Sequence, residues 1–574
     1  MNSGGAMKHE TNLSSRLFFG QVAEEIAYPY PSMAEPERRR VQALLTALGA
    51  LRGAIDSTAI DRDARLPEPL VERVAAAGLL GSGLPTEVGG LGLSAMGHTR
   101  VMSELGRADA SLALSVYVHE SLAARAISQF GGAELRARYA PRLASGELRA
   151  GFALAEVSGS DPTAMRTQLT RVGDAYGLSG EKRWVTGAER ADLWVVFART
   201  NAPEAGERPR LVALVVERGP GVTVGPPHDM LGLRGVQMCD VRFDAVPLTR
   251  DAFIGEPGGG YEIAMDVLSA ARVALAGIWV GQCRAVVSES VKWVQERYSL
   301  GRSIGEFAIV KDKIARMMSD TFAVESMVHL TAGLADAGTD YRLESAMCRV
   351  AGSEALWRVV SDAMSLAGGA AYVRPHALER HLRDARGAFV IDGTNEILRT
   401  VIALRGLAAP AKRLKEVEQA LREPVKGLRV LRKLAESKAR ELWPRAQRSR
   451  CHPLLAPEQE QLAGALSAFQ EACQRALTEH GSEVSEMQYT QLRVANIAID
   501  LYAIIACLSR STRAVQRRGE DGARRELDMT RMFTRAALSR VRGHLGKLAG
   551  NDDELRKLIA ARAYDDNGYP VDVL

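Results

Sequence analysis

A handful of short segments hold the residue types that could do chemistry. Phe389-Val-Ile-Asp-Gly-Thr-Asn-Glu-Ile-Leu-Arg399 sets a carboxylate, Asp392, ahead of a Gly-Thr pair, and a positioned carboxylate can take a proton. Gly151-Phe-Ala-Leu-Ala-Glu-Val-Ser-Gly-Ser-Asp161 ends in a Gly-Ser-Asp loop, which taken alone is usually no more than a turn. Gly180-Glu-Lys-Arg-Trp-Val-Thr-Gly187 carries Trp184 and Thr186; a lone Trp in a strand is more often core. Arg297 opens a charged segment that runs through Lys311, and Gly368-Gly369 would let backbone approach a ligand closely. That glycine pair follows a helical pattern and not a strand, so it is not a dinucleotide-binding fingerprint. Cys239, Cys283, Cys348, Cys451, Cys473 and Cys507 lack CxxC or metal-ligand spacing, so no metal is expected and the thiols are read as reduced and buried.

These segments need elements to position them. At 574 residues the chain is too long for one core. Apolar positions recur at three and four from about 37 to 145, as in Val41, Leu44, Leu45 and Leu48, which is helical spacing. From about 150 to 250 the texture changes to short runs such as Trp194–Arg199, Leu211–Val216 and Val241–Val246, separated by Gly, Pro and Asp, which read as strands. Helical periodicity returns to about Ala408, and a last helical region runs from about Pro457 to Ala563. There is no fixed-period repeat. The expected division is an arm over 1–36, a helical domain over 37–148, a β domain over 149–258, a helical bundle over 259–409, a linker over 410–456 and a C-terminal helical domain over 457–574.

Net charge is only +5, which does not suggest nucleic acid. Its distribution is uneven: Lys412 to Arg450 holds 13 Lys/Arg against 5 Asp/Glu. Leu428, Val430, Leu431 and Leu434 could form an apolar face opposite Lys426, Arg429, Arg432 and Lys433, which fits either peripheral membrane contact or a solvated linker. The start of the chain lacks an apolar signal segment, and no 18-residue apolar run is present. A cytoplasmic protein, possible also at the inner face of a membrane through 412–450, is the expectation.

Taken together, the segments resemble the acyl-CoA dehydrogenase family. Phe389–Arg399 is similar to its "Glu-Gly-Thr-Asn-x-Ile" turn, with Asp392 in place of the glutamate that removes a thioester α-proton. Gly151–Asp161 is similar to "Cys-x-Thr-Glu-Pro-x-x-Gly-Ser-Asp", Gly180–Gly187 to "Gly-x-Lys-x-Trp-Ile-Thr", and Arg297–Met317 to "Arg-x-x-Phe-Gly-x-x-Ile-x-x-Phe". The segment Ala498–Arg513 looks like the C-terminal domain of the very-long-chain acyl-CoA dehydrogenases and their relatives. The resemblance implies a mainly α fold with a central β domain: helical N-domain, β-barrel-like middle domain and four-helix bundle, plus a C-terminal helical domain.

It also implies FAD, an acyl-CoA or acyl-carrier-protein thioester, an electron-transfer flavoprotein as acceptor, and a homodimer. Cofactor contacts would come from Leu154, Ala155, Ser160, Trp184, Thr186, Arg297, Lys311, Gly368, Gly369, Thr394 and Glu396, with Ala155 standing where a flavin-bonding Thr is usual. Arg297 would meet the pyrophosphate of a neighbouring subunit's FAD, as a fork-shaped cation can. Substrate would meet Ser160, Arg272, Ile391 and Asp392, with Arg272 tuning the charge on Asp392. The position of an alternative base on an earlier helix aligns with Ala271, so Asp392 is the catalytic base candidate. The readings open at this point are a long-chain acyl-CoA dehydrogenase, a carrier-protein-linked dehydrogenase, and a catalytically weak flavoprotein with an assembly role.

Overall fold

The structure, a computed structural model, describes residues 13–159, 164–200, 210–422 and 449–571. Within these the chain forms two compact units, Tyr30–Asn395 and a second made of the N-terminal arm to Pro29 with Glu396–Leu574. Most of the basic segment over 412–450, including its proposed apolar face, lies outside the described residues, as does Ser160.

In the larger unit, helices α1 (Glu35–Leu51), α2 (Glu68–Ala76), α3 (Ala95–Ala108) and α4 (Ala110–Tyr117) come first. The apolar residues spaced at three and four are the ones that turn inward: Val41, Leu48, Leu70 and Val74 are buried, with Leu44 and Leu45 packed against the same core. Directly after α4 the winding widens to a π-helix over Val118–Ala124, then α5 (Arg125–Phe130) and α6 (Ala133–Ser145) complete this layer.

The middle of the unit is an eight-stranded sheet: β1 (Ala150–Ala153), β2 (Gln168–Val172), β3 (Ala175–Val185), β4 (Leu193–Thr200), β5 (Leu211–Glu217), β6 (Val222–Val224), β7 (Cys239–Leu248) and β8 (Phe253–Ile254). Its order is β6-β7-β3-β2-β4-β5-β8, with β1 pairing parallel to β4. Strand β4 is apolar and buried from Leu193 to Ala198 because both of its faces are covered there. Leu193, Val195 and Phe197 join the helical core, while Trp194, Val196 and Ala198 join a separate core within the β layer. The period-two alternation of a strand thus divides one apolar run between two cores.

Helices α7 (Gly260–Glu296), α8 (Ala308–Asp336), α9 (Arg342–Ala367) and α10 (Ala377–Gly387) follow. Helices α3 and α7 meet along a glycine seam. A Cβ on Gly106 would lie 2.8 Å from the Ile278 Cα, one on Gly281 would lie 2.8 Å from the Arg107 nitrogen, and one on Gly277 would lie 2.9 Å from Thr99 Cγ2. Only glycine permits so close an approach of two helix backbones.

The second unit holds α11 (Asn395–Arg422, which begins one residue before the boundary), α12 (Ala456–His480), α13 (Gln488–Gly522), α14 (Arg524–Ala549) and α15 (Asp553–Asp565). Leu501 through Leu508 on α13 are all buried. The N-terminal arm packs into this unit, with Phe18 against Phe469 at 5.2 Å between ring centroids and Glu24 accepting from Ser449 at 2.9 Å. Helices α7 and α13 are long and apolar enough to cross a membrane by length and composition, yet 83% of each apolar window is buried inside the protein. Their hydropathy is accounted for by the cores they build. All six cysteines are buried and none is in a disulfide.

The seam gives a direct test. On an open helix face Gly→Ala is stabilising by about 0.5–1 kcal/mol. Gly281→Ala is expected instead to destabilise by about 1–3 kcal/mol, the usual magnitude for overpacking a tight interface. Chemical denaturation of the two proteins measures the sign.

Candidate active site

The loop that carries Asp392 lies between α10 and α11 and is bent by two successive left-handed residues, Asp392 at φ 58° and Gly393 at φ 94°. Aspartate tolerates this conformation better than longer side chains do. Such a turn leaves carbonyls that no helix or strand can satisfy. Arg349, fully buried on α9, supplies the donors. Its Nε donates to the Ile391 carbonyl at 3.1 Å and its Nη2 to the Gly393 carbonyl at 2.8 Å, while Nη1 donates to Asn395 Oδ1. Ser353, one turn further along the same face of α9, donates to Asn395 Oδ1 at 3.1 Å.

The carboxylate itself is met by Tyr117, the last residue of α4 and fully buried. The Tyr117 hydroxyl donates to Asp392 Oδ2. Burial is the largest influence on Asp392 and pushes its pKa above the usual aspartate range. The Tyr117 hydrogen bond and the charges of Arg272, on α7, and Arg349 pull the other way without cancelling it. A carboxylate so held is ionised near neutrality less readily than an exposed one, and so is a stronger proton acceptor. Since the folded-state pKa is raised, protonation of this group favours folding, and that contribution is lost as pH rises through the folded pKa. Ile391, expected beside the substrate, is half-buried against the helical core.

A second cluster forms on the sheet. The β3–β7 register shifts between Lys182 and Val185, and in this bulge Trp184 adopts φ 55° and stands 49% exposed. Bulges re-aim side chains in this way. Two residues earlier Lys182 is fully buried. It donates to Glu156 Oε1 at 2.8 Å and to the Leu154 carbonyl at 3.2 Å, and burial lowers its pKa to about 8 against the opposing charge of Glu156. Arg183 N–H donates to the Ala155 carbonyl at 3.0 Å. The loop at 154–156 is thereby tied beside Trp184, which brings together two of the sequence segments. Thr186 is half-buried and lines an apolar cavity with Val116, His119, Ala150 and Val236.

Of the remaining candidates, Thr394 lies on the Asp392 loop itself. Arg297, Lys311, Gly368, Gly369 and Glu396 are exposed, and Thr394 is half-buried. Gly368 ends α9 with φ 61° and, among the described residues, has nothing within 4 Å of where a Cβ would be. No group of His, Cys, Asp and Glu able to hold a metal occurs among the described residues. The donor set fits FAD: an accessible indole and neighbouring hydroxyl suit a flat ring, and exposed cations suit a pyrophosphate.

Comparisons with known proteins find similarity along most of the chain. Family signatures match in chain order: "Acyl-CoA dehydrogenase, N-terminal domain" over 36–147, "middle domain" over 151–246 and "C-terminal domain" over 258–407. "ACAD9/ACADV, C-terminal domain" matches 453–567. The very long-chain specific acyl-CoA dehydrogenase of Macaca fascicularis is 31% identical over 549 residues, covering 93% of this chain and 83% of the relative. The Homo sapiens protein of the same description is 30% identical with the same coverage. An acyl-CoA dehydrogenase from Bacillus anthracis, solved with FAD, shares the fold with a TM-score of 0.78 over 97% of this chain and 96% of that one, at 23% identity.

Sequence reading did not find Arg349 or Tyr117. Arg349 leaves a faint trace, a lone cation in the apolar stretch Ala346-Met-Cys-Arg-Val-Ala-Gly352, and such a residue is buried only with partners. Arg349→Lys keeps the charge but not the fork that reaches several acceptors. It is expected to lower stability by about 1.5–3 kcal/mol, read from urea denaturation, and to slow any reaction that depends on the 391–395 loop.

Proposed function

This chain belongs to the acyl-CoA dehydrogenase family, FAD-dependent oxidoreductases acting on CH–CH groups, and on that premise we propose that it desaturates a long-chain fatty acyl-CoA between Cα and Cβ with Asp392 as base. The observation that carries this reading is the position of Asp392: a carboxylate with raised pKa held by Tyr117, with the charges of Arg272 and Arg349 close enough to act on it. The similarity to very-long-chain relatives, which extends through the C-terminal domain, supports a long acyl chain.

In this mechanism Asp392 accepts the α-proton, and the electron pair of the C–H bond passes into the thioester. Two positive charges, Arg272 and Arg349, help keep the base ionised beforehand. The backbone N–H of Asp392 donates to the thioester carbonyl and steadies the developing enolate, a role independent of side-chain length. When bound, FAD supplies the acceptor for the β-hydrogen and its electron pair. Leu154, Ala155, Trp184, Thr186 and Thr394 would hold it from one subunit, and Arg297, Lys311, Gly368 and Gly369 would meet its phosphates across a homodimer. Electron-transfer flavoprotein is the proposed onward acceptor. A cytoplasmic location, with the basic segment over 412–450 at a membrane surface, belongs to the same proposal.

Anaerobic mixing with a long-chain acyl-CoA is expected to bleach the flavin. Asp392→Asn should retain FAD and lose bleaching by at least about 100-fold, within the range of a lost general base; full bleaching in that variant overturns the assignment. Bleaching by carrier-protein-bound but not CoA-bound substrate would redirect the substrate class. The working form of Asp392 is its anion, so activity should fall on acidification, at a pH above the usual aspartate range because burial raises this group.

Arg297→Ala is expected to weaken FAD binding about 10- to 100-fold through loss of a charge-assisted contact. Flavin retention on dilution, together with sedimentation for the dimer, measures this; unchanged retention removes Arg297 from the cofactor site.

A further inference from the structure

We propose that Tyr117 is a positioning residue for the base: its hydroxyl fixes one oxygen of Asp392, leaves the other to take the proton, and fills space that a longer carboxylate would need. This rests on the reading of Asp392 as base.

Three observations support it. First, Tyr117 is fully buried, and a buried phenol needs a partner for its O–H. Among the described residues its partner is Asp392 Oδ2, and no hydrogen bond is found there on Oδ1. Second, Tyr117 closes α4 where the winding changes to the π-helix Val118–Ala124. The next side chains serve other contacts: His119 Nε2 lies 3.0 Å from the Leu143 carbonyl, and Glu120 accepts from Ser82 at 3.0 Å. Tyr117 therefore meets Asp392 while these two neighbours are engaged elsewhere. Third, the ionisable groups that act on Asp392 come from three elements, Tyr117 on α4, Arg272 on α7 and Arg349 on α9, and Tyr117 is hydrogen-bonded to the carboxylate. Tyr117 is held neutral, since burial first and then the Asp392 charge raise its pKa well above the ordinary phenol value. It therefore keeps its proton while Asp392 Oδ1 accepts the α-proton and the C–H electron pair stays with the thioester.

Length and backbone strengthen the pairing. Asp392 sits at φ 58°, a conformation less suited to glutamate. A glutamate would carry its carboxyl one methylene further, toward the volume that the Tyr117 hydroxyl takes. The pair thus acts as one unit, a short carboxylate on a left-handed backbone met by a phenol.

The test uses the FAD-loaded full chain, with rates expressed per bound flavin. Tyr117→Phe removes only the hydroxyl. Flavin bleaching by a long-chain acyl-CoA is expected to slow about 10- to 100-fold near neutral pH, the rate equivalent of one hydrogen bond to a charged group. The acidic limb of its pH profile should move to higher pH, because a hydrogen bond that stabilises the anion is gone. Asp392→Glu alone should be slower than the parent, and Asp392→Glu combined with Tyr117→Phe should be faster than Asp392→Glu alone. A purely structural tyrosine would neither move the acidic limb nor reverse the effect of glutamate. If Asp392→Asn abolishes bleaching while Tyr117→Phe matches the parent in rate and pH profile, the Tyr117 proposal fails and the base assignment stands. If Asp392→Asn bleaches fully, both fail together.

Discussion

Arg349 is the interaction on which the loop that carries Asp392 depends. A guanidinium with no solvent contact must spend its donors inside the protein, and the loop over 391–395 offers acceptors because its left-handed turn leaves carbonyls unsatisfied. Each solves the other's difficulty. The arrangement also places a permanent positive charge near Asp392, where it opposes the effect of burial. For this to work, α9 must present Arg349 and Ser353 on one face, and its other face must pack against the bundle. The α3–α7 glycine seam tightens that bundle, and α7 in turn carries Arg272.

The sheet makes a comparable division of labour around Trp184. Strand β3 buries Lys182 and exposes Trp184, and the bulge between them allows both. Lys182 ties down the 154–156 loop through Glu156 and the Leu154 carbonyl, so the rim beside the indole is anchored by a buried ion pair. A loop held this way is set before any ligand arrives, which reduces the ordering that binding requires.

Much of this was legible in the sequence, and the reason is local. The strands at 194–199, 211–216 and 241–246 and the helical spacing of Val41 to Leu48 are patterns within a few residues. Asp392, Trp184 and Thr186 stand out in the sequence because short motifs enclose them. Tyr117 and Arg349 do not, because what defines them is distance along the chain: Tyr117 meets Asp392 across 275 residues, and Arg349 meets Ile391 across 42. Neither has a neighbouring residue that betrays its partner. The membership of the N-terminal arm in the C-terminal unit was hidden in the same way, since Phe18 and Phe469 give no sequence hint of their contact.

The left-handed backbone at Asp392 bears on how this site can evolve. Aspartate and glutamate codons lie one nucleotide apart, so mutation offers the longer carboxylate continually. At φ 58°, with the Tyr117 phenol against the carboxylate, that single step is unfavourable in the present background. A lineage starting here would reach glutamate more easily by reducing Tyr117 first, although that step alone removes the hydrogen-bond partner of Asp392. The order of substitutions is thereby constrained, and a change that is trivial in the genetic code is held back by one backbone angle and one hydroxyl.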